Sequence, residues 1–112
     1  AHDHARRMTA PRRTLHDIAH ARAGAKGDTS SINVWAYDPA DYPAVQAALT
    51  PERVKAAFPD LIRGEVVRYD LPHLHGLKLI LRNALEGGVN SSLNLDSHGK
   101  SWSYLILGME LS

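Results

Sequence analysis

A polar stretch, Arg22–Ser31, separates two apolar runs, and any fold of this chain has to accommodate it. It combines glycines, cations, an acid and hydroxyls, which is too polar and too flexible a composition for a protein core. The run that follows, Ile32–Tyr37, is rich in β-branched and aromatic residues and predicts a strand. Thr14–Ala21 predicts a strand as well, although its apolar side chains also fit helical spacing. We therefore expect the backbone to turn sharply within Arg22–Ser31.

Two glycines and two cations indicate an anion-binding role for this stretch. Gly24 and Gly27 can adopt positive φ without steric cost, so that successive backbone N–H groups can point into one concavity. Arg22 would add a two-pronged hydrogen bond and Lys26 a point charge. The stretch thus predicts a binding site for a phosphate or a carboxylate. The alternatives are a solvated hairpin loop and an ion pair between Arg22 and Asp28 that holds the loop.

The predicted site also includes Gly27, Asp28, Thr29 and Ser30. A desolvated Asp28 would serve as a general base, whereas an acid at such a position more often bonds its own backbone in a turn. The hydroxyls of Thr29 and Ser30 would donate to a bound anion or satisfy loop carbonyls. Both alternatives stay open at the level of sequence.

Composition and charge exclude several classes of protein. With 112 residues and 44% hydrophobic residues, the chain suits one globular domain. Its net charge of +1 gives no broad case for binding nucleic acid or an acidic membrane. The absence of cysteine excludes disulfides and thiolate metal sites. No apolar run approaches the ~20 residues needed to cross a bilayer, and the first residues lack the apolar core of a signal peptide. We expect a cytoplasmic protein.

Residues 1–13 differ from the rest because arginines outnumber acids there and little can be buried. We predict a flexible basic arm, followed by a single domain over residues 14–112. Such an arm would suit nucleic acid or an acidic subunit. A nucleic-acid role is nevertheless not favoured, because the body of the chain carries no recognisable reader motif.

The remaining elements predict an α+β sandwich with one mostly antiparallel sheet and its helices on a single face. The sheet's other face would stay open or meet a partner, and Trp35, Trp102 or Tyr104 on that face would favour assembly. Capping residues and apolar periodicity define the elements. After the first two strands these are, in chain order, a helix starting near Asp41, a helix starting at Pro51 after a Thr50 cap, a strand over Glu65–Leu71, a helix over His73–Leu85, and a hairpin of strands Ser92–Leu95 and Trp102–Leu111.

A second polar cluster, Asp96, His98 and Lys100, falls at alternate positions in the predicted turn of that hairpin. An acid that orients an imidazole beside a cation is a workable acid–base unit. We therefore take Asp96 and His98, with Asp28, as candidate catalytic residues and Lys100 as a candidate substrate-binding residue. The alternative is ordinary turn chemistry, with Gly99 at positive φ.

Two histidine pairs have spacings that metal sites use: His16 with His20, and His73 with His75. Neither pair has a carboxylate at a confirming distance in sequence, and we predict no metal site. The chain also has no Walker loop, nucleophile elbow or dinucleotide fingerprint, so we predict no cofactor.

Several segments in a fixed order resemble the AtuA-like small domain, a family named for acyclic terpene utilisation. The resemblance extends from about Leu15 to Leu111. The segments that carry it are Arg22-x-Gly-x-Lys-Gly-Asp-Thr-Ser30, Asp70-Leu-Pro72, Leu85-x-Gly-Gly-Val89 and Ser92-Leu-x-x-Asp-x-x-Gly-Lys100.

The resemblance implies a ferredoxin-like α+β fold. The family domain occurs at the C-terminus of an AtuA-type chain or as a short protein beside one, so a larger AtuA-type partner is also implied, with organic acids or acyl-CoA thioesters as substrates. The chain keeps Arg22, Lys26, Gly27 and Asp28 of the family pattern. It departs from that pattern at Ala23 and Ala25 (usually Ser and Asp), at Ser31 and Asn33 (usually Asn and Gly), and at Lys78 (usually Asn).

Three functions follow as hypotheses. In the first, the chain is the small subunit of a heteromeric hydratase- or lyase-type enzyme and contributes an anion-binding loop. In the second, it is an autonomous lyase or isomerase that uses Asp28 or the Asp96/His98 pair. In the third, it is a non-catalytic module of a homo-oligomer. The first requires the Arg22/Lys26 stretch and the Asp96–Lys100 turn to converge on one anionic ligand.

Overall fold

The computed structural model describes residues 13–84 and 102–111. Its strands form one sheet in the order β1-β2-β4-β3, and every neighbouring pair is antiparallel. The elements are β1 (Ala19–Lys26), β2 (Thr29–Ala36), α1 (Tyr42–Ala48), α2 (Pro51–Ala57), β3 (Val66–Leu71), β4 (Gly76–Leu81) and α3 (Trp102–Leu107), with short 3-10 helices at Leu15–Asp17, Pro39–Asp41 and Pro72–Leu74.

The helices cover one face of the sheet, which confirms the one-sided α+β arrangement. The fully buried sheet residues alternate along the two central strands, with Ile32 and Val34 on β2 and Leu77, Leu79 and Leu81 on β4. Because successive strand side chains point to opposite faces, all of these lie on one side. They share a single apolar cluster with helix residues, namely Val45, Leu49, Val54, Trp102 and Ile106.

The predictions for α1 and α2 are confirmed. The Thr50 hydroxyl accepts a hydrogen bond from the backbone N–H of Arg53 at 3.2 Å, and Pro51 occupies the first turn of α2. These are the start signals read from the sequence, because the first turn of a helix has unpaired N–H groups that a hydroxyl can satisfy. The strand predicted over Glu65–Leu71 is also present, as β3.

The helix predicted over His73–Leu85 is wrong, because this segment contains the central strand β4. Leu77, Leu79 and Leu81 are fully buried, whereas Lys78 and Ile80 are only partly exposed on the other side. Because Ile80 adds an apolar residue on the face opposite the leucines, the sequence of this strand also fits the spacing of a helix. The short 3-10 helix and the left-handed turn at His75 (φ 54°) precede this strand.

The strand predicted over Trp102–Leu111 is also wrong, since Trp102–Leu107 forms α3. Trp102 and Ile106 are its buried side chains and lie four residues apart, on one face of the helix. Only Glu110 makes a bridge, to Thr14. Tyr104 consequently lies on a helix and not on the sheet, and Ser92–Leu95 lies outside the described residues.

The first predicted strand is displaced along the chain. Thr14–Ala21 opens with the 3-10 helix Leu15–Asp17, where the backbone N–H of Thr14 donates to Asp17 Oδ2 at 2.9 Å. The strand itself begins at Ala19 and runs through much of the polar stretch that we expected to turn. No helix in the described part of the chain is long and apolar enough to span a lipid bilayer.

Two side chains fix α1 to the sheet. On β3, the Arg68 guanidinium donates to the carbonyl oxygens of Gln46 (2.8 Å) and Leu49 (3.2 Å), and it pairs with Asp70 at 3.0 Å. The last carbonyls of a helix have no partner within the helix, so Arg68 caps α1. The Tyr42 hydroxyl donates to the Gly76 carbonyl oxygen at 2.7 Å. Burial raises the pKa of that hydroxyl, and the Asp70 carboxylate adds to the increase.

A substitution at Gly76 tests how closely the start of β4 packs against β2. A Cβ at this position would lie 2.6 Å from Trp35 Cδ1 and 2.7 Å from the Val34 carbonyl oxygen. We expect Gly76→Ala to lower the free energy of unfolding by about 2 kcal/mol, measured by urea denaturation. Gly24→Ala is the matched control on β1, because its Cβ would meet only Ser31 Oγ, at 3.8 Å. Equal stability of the two variants would contradict this packing.

Candidate anion-binding face

The polar stretch Arg22–Ser31 forms a β-hairpin and not an extended loop. Lys26 pairs with Thr29, which leaves Gly27 and Asp28 as a two-residue turn. Gly27 has φ +65° and Asp28 does not have positive φ. This combination is typical of a type II′ turn, in which glycine is favoured at the first central position. The expected concavity of successive N–H groups does not form, since Gly24 lies within β1 opposite Ser31.

The hairpin distributes the predicted site residues over both faces of the sheet. Arg22 and Lys26 lie on the face away from the helices, but they are four residue steps apart along β1, which separates their Cα atoms by about 13 Å. Thr29 begins β2 on that face as well, by the same alternation. Ser30 points to the helix-covered side and is 1% exposed, so it lies across the sheet from Arg22. This arrangement does not fit a shared site for Ser30 and the two cations.

Asp28 is exposed at the hairpin turn. Its backbone carbonyl oxygen accepts a hydrogen bond from Ala84 N at 2.9 Å, so the turn is tied to the residue just after β4. Asp96, His98 and Lys100 lie outside the described residues. Their convergence with Arg22 and Lys26 therefore stays a prediction.

The strand register places a row of polar side chains across the open face. Arg22 on β1 pairs with Asn33 on β2, Asn33 pairs with Lys78 on β4, and Lys78 pairs with Tyr69 on β3. Directly paired residues point to the same side of a sheet. Arg22 and Lys78 thus flank Asn33, and two strand spacings, about 10 Å, separate their Cα atoms. Both long side chains can reach a group bound over the Asn33 amide.

The charges of this row are not paired within the described part of the chain. Within residues 13–84 and 102–111, the side chains of Arg22, Lys26 and Lys78 have no hydrogen-bond or ion-pair partner. In the four described strands, no acidic residue occupies a position on this face, whose residues alternate with the buried set. Those positions are His20, Arg22, Gly24 and Lys26 on β1, Thr29, Ser31, Asn33 and Trp35 on β2, Val67, Tyr69 and Leu71 on β3, and Gly76, Lys78 and Ile80 on β4. Among the described residues, no acidic strand position opposes these cations, so they contribute positive charge to the open face.

Sequence reasoning missed Asn33 and Lys78 as site residues. Lys78 was assigned to a helix, and a helix could not have placed it two strands away from Arg22. The available signal was the alternation of Leu77, Leu79 and Leu81, which marks a strand with Lys78 on its other side. Both positions were visible as departures from the family pattern.

An aromatic cluster borders the row at the end of β2. The His20 ring stacks on Trp35 and on Tyr37, with ring centroids 5.1 Å apart in both contacts. The sequence singled out His20 only as a candidate metal ligand. Within the described ranges, no three histidine or acidic side chains are grouped closely enough to hold a metal ion. The structure instead gives His20 a stacking role beside the cation row.

A separate apolar cleft of about 540 Å³ lies on the helix side of the sheet. His16, Phe58, Tyr104, Leu105 and Met109 are among its lining residues. Its walls offer mainly apolar surface, in contrast to the cationic sheet face. The anion-binding residues predicted from the sequence do not line it.

Comparison with known proteins identifies one family. A family model described as the AtuA ferredoxin-like domain matches residues 13–112. No curated protein and no solved structure matches the chain. The family match confirms the resemblance drawn from the sequence segments. Together with the antiparallel sheet and its helices, it confirms a ferredoxin-like α+β fold.

The hairpin turn can be tested at Gly27. An alanine there would have to keep φ near +65°, which L-residues with a Cβ adopt only at a cost. We expect Gly27→Ala to lower the free energy of unfolding by about 1–2 kcal/mol in a thermal or urea melt. Asp28→Ala changes the neighbouring turn residue without this constraint and should alter stability by less than about 0.5 kcal/mol. Similar losses in both variants would argue against the turn geometry.

Proposed function

The chain belongs to the family of AtuA ferredoxin-like domains, and we propose that it serves as the small component of an AtuA-type enzyme. In this proposal it works beside a larger AtuA-type chain and holds the negatively charged end of an organic acid or an acyl-CoA thioester. The reaction is of the hydratase or lyase type. The small domain supplies binding and orientation to it.

The row Arg22–Asn33–Lys78 carries the proposal. Its two cations lack partners in the described part of the chain, and an amide lies between them. Arg22 can donate two parallel hydrogen bonds to a carboxylate or phosphate, while Lys78 contributes a compact charge from the other side. The Asn33 amide adds a donor between the two. An anion on this row would meet positive charge from two directions.

The shape of the face supports a role beside a larger chain. Ligand pockets are concave and bury most of the ligand's surface. The cation row lies on an open sheet face, where a bound molecule would keep one side in water. A second chain laid over the sheet would enclose the ligand and remove that water. Charge–charge interactions gain strength when water is excluded, so enclosure would also strengthen the contacts with Arg22 and Lys78.

The placement of Asp28 favours this proposal over an autonomous lyase that uses Asp28 as its base. A carboxylate that acts as a general base has to lie within hydrogen-bond reach of the proton that it removes, in a site that holds the substrate. Asp28 is exposed at the hairpin turn. We therefore assign the proton-transfer steps to groups that the complete enzyme places over the face.

The test is co-expression of this chain with a larger AtuA-type chain, followed by calorimetric titration of the purified complex. Hexanoate and hexanoyl-CoA are the probes. We expect Arg22→Ala and Lys78→Ala each to weaken binding by about tenfold or more, because each removes a hydrogen bond to a charged group. Lys55→Gln is the control, since it removes one positive charge from α2 on the helix side.

Two outcomes would contradict the proposal. One is a chain that stays monomeric in gel filtration while the larger chain is present. The other is a complex that forms and binds the probes equally well with and without Arg22 and Lys78.

A further inference from the structure

We propose that the open sheet face also binds single-stranded nucleic acid, with bases stacked on aromatic side chains at its two edges and phosphates on the cations between them. This inference goes beyond the proposed function and does not require the larger chain. Binding of an organic acid uses only the charged row. It leaves the aromatic side chains of the same face without a role.

Aromatic rings lie on both flanks of the cation row. On β3, Tyr69 is directly paired with Lys78 and is 53% exposed. Toward the opposite edge, His20 on β1 stacks with Trp35 on β2 and with Tyr37 just after β2, and Tyr37 is 66% exposed. Exposed rings of this kind are the platforms on which bases of single strands stack, largely without regard to sequence.

The spacing of the rings favours a strand over a single nucleotide. Tyr69 lies on β3 and His20 on β1, and the sheet order places these strands at opposite edges. Three strand spacings, about 14 Å, separate them. One base cannot contact both platforms. A strand that crosses the sheet can stack a base at each edge and place its intervening phosphates over Lys78 and Arg22.

Charge complementarity also points to a polyanion. Arg22, Lys26 and Lys78 share the face, and none of its positions on β1–β4 is acidic. Neutralising phosphates with such cations releases condensed counterions, which drives association. The sheet is too broad to enter a groove of a duplex, and stacked base pairs hide their faces. An open sheet with exposed aromatic rings therefore selects single strands.

The sequence did not reveal this surface, because it carries no local reader motif. The aromatic and basic residues come from separate strands, and only the register of β4 between β2 and β3 brings them together.

The experiment is fluorescence anisotropy of the purified chain with 5′-labelled oligothymidylate and oligouridylate of 12 nucleotides. We expect saturable binding, with an affinity that decreases as the oligonucleotide is shortened to two nucleotides. We expect the affinity for a 12-base-pair duplex and for heparin to be lower than for the single strand. Salt dependence is measured for every ligand. The logarithm of the binding constant should fall linearly with the logarithm of salt concentration, with a slope of about −0.7 for each phosphate neutralised.

Variants at Tyr69 and Lys78 measure the contributions of base stacking and of charge to oligonucleotide binding separately. We expect Tyr69→Leu to weaken oligonucleotide binding by about tenfold, whereas Tyr69→Phe keeps the ring and the affinity. Lys78→Ala should reduce the magnitude of the salt slope by about 0.7, and Lys55→Gln on the helix side should leave the slope unchanged. The hexanoate titration depends on Arg22→Ala and Lys78→Ala, whereas the oligonucleotide titration depends on Tyr69→Leu against Tyr69→Phe, so failure of the two proposals can be told apart.

Three results would overturn the inference: no binding at low salt, equal affinity for heparin or duplex and for the single strand, or equal affinity of the Tyr69→Leu and Tyr69→Phe variants. Loss of affinity in Tyr69→Leu alone, with single strands preferred, would support it. Circular dichroism of each variant establishes that the fold is retained.

Discussion

The pairing of β2 with β4 at the centre of the sheet determines the rest of this structure. Ile32 pairs with Leu79 and Val34 with Leu77, and all four side chains are fully buried under the helices. Burying each such side chain contributes roughly 1.5–3 kcal/mol. A slip of one residue would turn all of them toward solvent, so this register is strongly specified. The same register places Asn33 between two cations on the opposite face.

The sequence predicts the structure correctly where one local signal applies and no other pattern fits the same residues. The Thr50 cap with Pro51 defined the start of α2, and the Gly27 turn lay inside a stretch expected to turn sharply. It was not sufficient where apolar residues fell on both sides of an element. Ile80, opposite the buried leucines of β4, made a strand resemble a helix, and the closing helix around Ile106 resembled an alternating strand.

In the candidate site, too, the sequence indicates residues that are close along the chain but not those that the sheet brings together. The cations Arg22 and Lys26 were recognised because they are close in sequence, yet the strand holds them about 13 Å apart. Lys78 is distant in sequence and lies closer to Arg22, across a single intervening strand. Contacts of this kind depend on strand order, which the local pattern does not encode. Because a helix is predicted where β4 lies, the sequence pattern does not place Lys78 beside Arg22.

The central claim is that ligands of this domain bind over Asn33 on the uncovered side of the sheet. NMR chemical-shift mapping of the isotope-labelled chain, titrated with hexanoate and then with a 12-nucleotide oligothymidylate, tests it most directly. The claim predicts the largest shifts at Arg22, Asn33 and Lys78, with Ser30 and the helix-side cleft at Phe58 unchanged. Shifts concentrated at that cleft, or absent from the row, would contradict it.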